Sequence, residues 1–196
     1  MALSRSNKVL LTSLGIVIAL GGLMFLAWKS FRPYRVPSGS MAPAIPPGSH
    51  VFVDEFAYSS PGQIRRGDVV SFETPESYSK ISRNASAIFV FRVIGLPGDT
   101  IDFDSKNNYT VNGEPIELAL RGDRVFERQA DDWYEISAGG SRAISRGLSL
   151  AVPVKFPVKI PVDQFFVSGD NRANALGSRY WGTVTFELVR GRVRID

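Results

Sequence analysis

Two serine hydroxyls, Ser38 and Ser40, are the groups in this chain best placed to do chemistry. They flank Gly39 in the stretch Pro37-Ser38-Gly39-Ser40-Met41-Ala42-Pro43, where prolines restrict the backbone on either side. A hydroxyl held this way is a candidate nucleophile. Serine is weak at its free pKa, so the proposal also needs a base for its proton and a donor for the developing oxyanion. Other chemistries are narrowed by composition. The 196 residues include no cysteine, which excludes thiolate catalysis, disulfides and cysteine zinc sites, and the single histidine, His50, excludes a histidine-cluster metal site. No metal and no organic cofactor is expected.

The chain length suits one domain of ordinary size together with an anchor. Residues 1–8 read as a short flank. Val9 to Trp28 follow without a charge, twenty residues, about what a helix needs to cross a ~30 Å hydrocarbon core. A cleaved signal peptide is disfavoured, because the apolar run exceeds the usual 7 to 15 residues of such segments and no small-x-small site follows. A retained single-pass transmembrane anchor over 9–28 is expected. Arg5 and Lys8 on one side, with Lys29, Arg32 and Arg35 on the other, leave the orientation open. Lys and Arg exceed Asp and Glu by 23 to 19, a net charge of +4, spread without a long run. That suits a partner at a lipid bilayer, and with no platform of interleaved aromatics and arginines no nucleic-acid partner is expected.

Residues 29–196 must then position the serines, and they read mainly as strands. Ser49 to Phe56 alternates after the turn at Pro46-Pro47-Gly48, and Ile64 to Phe72 is a turn followed by an apolar strand. Thr74 to Ala87 reads as a polar loop. Ile88 to Gly95, interrupted only by Arg92, reads as a strand buried on both faces. Thr100 to Phe103 and Tyr109 to Val111 resume strand character, and Asn112-Gly113 is the pair a type I′ hairpin turn prefers. Residues 117–153 read as a variable insertion with a few strands. Val158 to Val167 is a proline-punctuated strand, Ser168 to Gly182 a polar loop, and Thr183 to Ile195 a final alternating segment.

Four blocks occur in order: PSGSMAP at 37–43, RGDVVSF at 66–72, FRVIGLPGD at 91–99 and SGDNRANALGSRYWG at 168–182. Behind an N-terminal apolar segment, they resemble the type I signal peptidases, membrane-bound serine endopeptidases with a Ser/Lys dyad. The resemblance implies a mainly β fold, an antiparallel coiled or barrel-like β-sheet domain behind one transmembrane helix. It implies signal peptides of preproteins as substrates, cut after small residues, at the outer face of a bacterial cytoplasmic membrane. The nucleophile falls on Ser40, with its backbone N–H and the Ser38 hydroxyl as oxyanion donors. An extended peptide would lie by strand addition between Arg35–Ser38 and Ile88–Phe91. Val36, Met41, Ile45, Phe89 and Val90 are the candidate walls of its small-residue pockets. Arg92, Asp170, Asn171, Arg172, Ala175, Gly177 and Arg179 would support the site from behind.

The pattern breaks at the base. The family's lysine falls on Phe91, and a phenyl ring neither accepts nor delivers a proton. The serine that would orient that lysine is Ala175, and the aspartate two residues on is Gly177, which leaves Arg92 and Arg179 without that carboxylate. Two readings follow. One is an active peptidase with a substitute base, Lys80 first, then Lys155, Lys159 or His50, each needing burial to lower its pKa if it is a lysine. The other is a tethered, catalytically impaired relative that binds peptides or partners at the membrane.

Overall fold

The structure is a computed structural model describing residues 5–29, 31–79, 87–104, 108–137 and 154–195. Arg5–Lys29 forms one 25-residue helix, α1, about 37 Å long at ~1.5 Å per residue. Its described side chains run from Ser13 to Phe25, and the large apolar ones, such as Leu14, Ile18, Leu23 and Met24, are exposed. Among the described residues no helix is long and apolar enough to cross a membrane.

The chain then enters β1 (Phe31–Arg35), antiparallel to β2 (His50–Asp54) with Arg35 opposite His50. β3 (Val69–Glu73) and β4 (Ile88–Gly95) follow, separated by a short helix, α2 (Glu76–Ser79). A second group comprises β5 (Thr100–Phe103), β6 (Tyr109–Val111) and β7 (Glu114–Pro115). A third comprises β8 (Leu118–Arg121), β9 (Arg124–Gln129) and β10 (Asp132–Ile136). The chain closes with β11 (Val158–Lys159), β12 (Gln164–Ser168), α3 (Ser178–Trp181), β13 (Val184–Thr185) and β14 (Val189–Arg194). Paired strands are antiparallel and form three sheets, ordered β1-β2-β14-β3-β4-β12-β13, β11-β5-β6-β7 and β10-β9-β8.

The mainly antiparallel β expectation holds, and its barrel-like part is corrected. β1 and β13 end the large sheet without pairing to each other, so the described strands form open sheets. Register shifts at Val189/Gly191 and Phe166/Val167 bend the sheet locally without closing it. Several boundaries also move. The Ser168–Gly182 loop contains α3, the Val158–Val167 strand is two strands that serve different sheets, and Thr74–Ala87 contains α2. Asn112 and Gly113 take φ of 56° and 87° at the tip of the β6–β7 hairpin, as a type I′ turn requires.

The sheets exist because their inner faces carry branched and aromatic side chains. β4 is buried from Val90 to Gly95, while Ile88 at its start is exposed. The main core gathers Val53, Val70, Phe72, Val93, Phe165, Val167 and Trp181, and a smaller one gathers Ile94, Ile101, Tyr109, Ile160 and Phe166.

Candidate active site

The serine turn grows directly out of β1. Val36 donates its N–H to Ser49 O at 2.8 Å and accepts from Gly48 N–H at 2.7 Å, which ties both ends of the turn together. Met41 and Ile45 are buried beneath it, and the Ile45 N–H donates to Met41 O at 2.9 Å. Above them Ser38 Oγ and Ser40 Oγ are 3.0 Å apart. Either hydroxyl can donate to the other, so Ser38 can turn its proton toward charge developing beside Ser40.

The loop after β12 fixes the turn from the other side. Asn171 donates its backbone N–H to Ser40 O and its side-chain Nδ2 to Gly39 O, each at 3.0 Å. Gly169 packs so closely that a Cβ there would stand 2.3 Å from Ser40 O and 2.4 Å from Ala175 Cβ. Only glycine allows that approach.

A cavity of about 370 Å³ opens in front of the serines. One wall is Tyr34 to Ser38 with Ser40, the other is Ala87 to Phe91, and Asn174 and Leu176 close the end. Of the candidate pocket walls, Val36, Phe89 and Val90 line this cavity, whereas Met41 and Ile45 lie in the core and are not part of its lining. The ladder pairs β4 unevenly on its two sides. β4 pairs with β3 along Ile88–Arg92 but with β12 only along Arg92–Gly95, so Ile88–Phe91 lacks a β12 partner on its second edge. β1 is an end strand, so it also has an edge to offer.

Phe91 belongs to the β4 wall of the cavity. It lines the cavity yet is only 3% exposed, and its ring lies 5.9 Å from that of Phe72 and 5.4 Å from that of Phe89. Phe89 packs edge-on against Tyr78 at 4.9 Å, and Phe72 lies 6.1 Å from Trp181. These rings form one aromatic cluster behind the β4 wall of the cavity. Among the described residues the cavity lining contains no lysine, histidine or carboxylate. His50 is exposed on β2, Lys155 is exposed, and Lys159 donates its Nζ to Gly98 O at 2.5 Å; none of the three lines the cavity. Lys80 lies outside the described residues.

Comparison with known proteins bears on the whole chain. The profile of the family described as signal peptidase, peptidase S26 matches residues 8–196. The chain belongs to that family. A signal peptidase I from Pseudomonas aeruginosa is 30% identical over 171 residues, covering 80% of this chain and 58% of that protein. One from Leptolyngbya laminosa is 29% identical over 180 residues, covering 91% of this chain and 72% of the other. A solved signal peptidase I from Enterococcus faecalis shares 21% identity with a TM-score of 0.40, covering 67% of this chain and 97% of that one. This chain spans 58% of the length of the Pseudomonas relative.

Within this signal peptidase family member the arginines behind the site find partners other than residue 177. Arg92 does not lack a carboxylate: its Nε and Nη2 donate to the two Asp170 oxygens at 2.8 and 2.6 Å, and its Nη1 donates to Gly67 O at 2.8 Å. The Tyr134 ring covers the guanidinium, with the Arg92 Cζ 3.8 Å from its centroid. Arg179 instead stacks over the rings of Tyr180 and Phe103. Arg172 donates to Glu127 and to Gly169 O; burial disfavours its charge, but Glu127, Tyr109 and Asp170 outweigh that and raise its pKa. Gly177 lies against β12, where a Cβ would stand 2.8 Å from Val167 O. An aspartate there would not fit this backbone without movement.

Sequence reasoning missed Gly169, Asn174 and Leu176, although all three sit in the last motif. It also missed Glu127, Tyr134 and Ser137, which lie in a stretch without a motif and reach the site only through the fold.

Proposed function

We propose that the chain is a serine endopeptidase of signal peptidase I type that receives the signal peptides of exported preproteins as an added strand and presents Ser40 to the bond after a small residue. The observation that carries this reading is the serine pair, hydroxyls 3.0 Å apart, lining a cavity walled by the segment from Tyr34 to Ser38, which continues β1, and by Ala87 to Phe91, which leads into β4. Strand addition supplies main-chain hydrogen bonds, and the walls Val36, Phe89 and Val90 select the side chains. Ser38 and the Ser40 N–H hold the oxyanion. α1 anchors the protein over 9–28 in a bacterial cytoplasmic membrane, with the β domain on the extracytoplasmic side near the lipid surface.

A second reading is favoured by Phe91. A buried aromatic cluster where the proton acceptor should stand supports a tethered relative that binds peptides without turning them over. Lys80 is the acceptor left for an active enzyme. Cleavage of a preprotein by the purified full chain in detergent, beside Ser40→Ala and Phe91→Lys, separates the two. Processing by the wild type that Ser40→Ala abolishes supports the peptidase. Equal processing by both removes it, and activity gained only with Phe91→Lys supports the binding protein.

A further inference from the structure

The β8–β10 sheet falls in the stretch that carries no motif, yet it meets the loop that holds the serine turn. The Glu127 carboxylate, 3% exposed on β9, accepts from the Arg172 guanidinium and from the Gln129 side-chain amide. The same guanidinium donates through Nη1 to Gly169 O at 3.1 Å. Gly169 is the residue pressed against the Ser40 carbonyl, and Asn171, one residue before Arg172, holds the carbonyls of both Gly39 and Ser40. The backbone repeats the connection at the far end of β10. Ser137 N–H donates to Asp170 O at 3.0 Å, and Ser137 O accepts from Arg172 N–H at 3.2 Å.

We propose that Glu127 is a positioning residue for the Ser40 turn, through which the β8–β10 sheet sets the loop of residues 169–172 and hence the Gly39 and Ser40 carbonyls. A buried guanidinium without its carboxylate does not stay where it is; it moves toward water and releases whatever it was holding. Here that is Gly169 O, and with it the close contact that seats Ser40. Arg92 and Asp170 brace the same loop from the main sheet, so Glu127 is the contribution made from outside it. The coupling itself rests on geometry alone; only its consequence for catalysis rests on Ser40 being the reactive hydroxyl.

The test is residue-resolved hydrogen exchange on the full chain in detergent micelles. Glu127→Leu alone strands a buried cation and can unfold the protein, so the decisive variant is Glu127→Leu/Arg172→Leu, which removes both charges together. The Asn171 N–H, bonded to Ser40 O, is expected to lose about tenfold or more of its protection, while the Val36 and Ile160 N–H groups, bonded to Ser49 O and Asp99 O, stay within about twofold of wild type. Glu127→Gln, which keeps an acceptor oxygen for Arg172, is expected to retain most of the Asn171 protection. Unchanged protection at Asn171 in the folded double variant overturns the proposal, and so does an equal fall at all three amides. Preprotein cleavage is measured on the same samples. If the peptidase reading alone fails, the wild type does not cleave but the exchange pattern stands.

Discussion

Ser38 Oγ and Ser40 Oγ lie 3.0 Å apart, and both serines line the same cavity. The separation matters because two hydroxyls on one short turn can divide the labour of acyl transfer, one attacking and the other donating to the oxyanion. Loss of one oxyanion donor typically slows turnover by about 10²–10³-fold. If the peptidase reading holds, Ser38→Ala should lower kcat by about that factor with little change in KM, and Ser40→Ala should abolish cleavage. Neither should shift Tm much, since Ser38 is exposed and Ser40 half-buried. Equal kcat for wild type and Ser38→Ala would refute the oxyanion role.

Phe91→Lys is the second prediction. The substitution removes a ring from an aromatic cluster, and a deleted core phenylalanine typically costs about 3–5 kcal/mol, so Tm should fall. A lysine there would be largely desolvated, which lowers its pKa. Cleavage gained by this variant should therefore rise with pH as the amine loses its proton, with half-maximal rate near about pH 7–8. Ala175→Ser, added to orient the amine, should raise the rate further. A gained rate independent of pH between about 6 and 9 would show that the new lysine is not the base.

Gly169→Ala is the third. Its Cβ would stand 2.3 Å from Ser40 O and 2.4 Å from Ala175 Cβ, and neither neighbour is the flexible end of a long side chain. Overpacking of this kind typically costs about 1–3 kcal/mol. The expected result is a lower urea midpoint at an unchanged m-value, together with moved amide signals for Gly39 and Ser40. Wild-type stability in Gly169→Ala would show that the loop yields freely.

Much of this arrangement is legible in the chain because it is local. Strand periodicity gives β2, β4 and β5 nearly at their bounds, and Asn112-Gly113 gives the hairpin, since turn type depends on those residues' own backbone preferences. The serine turn is readable from motif spacing. What the chain does not disclose is non-local. Whether the sheets close depends on which strands end up at the edges. That Asp170 answers Arg92, 78 positions away, depends on the β4–β12 pairing that sets Ser168 opposite Arg92. Glu127 is the clearest case: an acid in a charged, aperiodic stretch reads as surface, and only the docking of β9 onto the 169–172 loop buries it.

The last prediction concerns the loop between β4 and β5, which turns the chain from the main sheet into the second one. Asp99 closes it. Its carboxylate accepts from Leu96 N–H at 2.8 Å, from Asn112 Nδ2 at 2.8 Å and from Arg66 Nη2 at 2.7 Å. Burial pushes the acid upward, but these donors outweigh it and hold its pKa below the ordinary value of 3.8. A group depressed in the folded state contributes stability that is fully present above its unfolded pKa and disappears as pH falls through the folded one. Asp99 should therefore stabilise the protein at neutral pH and stop doing so as pH falls below the ordinary carboxylate value of 3.8 and through its own lower one. Asp99→Asn should lower the urea midpoint at pH 7, and the gap from wild type should hold on acidification until the ordinary carboxylate value of 3.8 is reached and narrow below it. A gap that stays constant from pH 7 down to about pH 2 would mean that the charge on Asp99 is not what holds the loop.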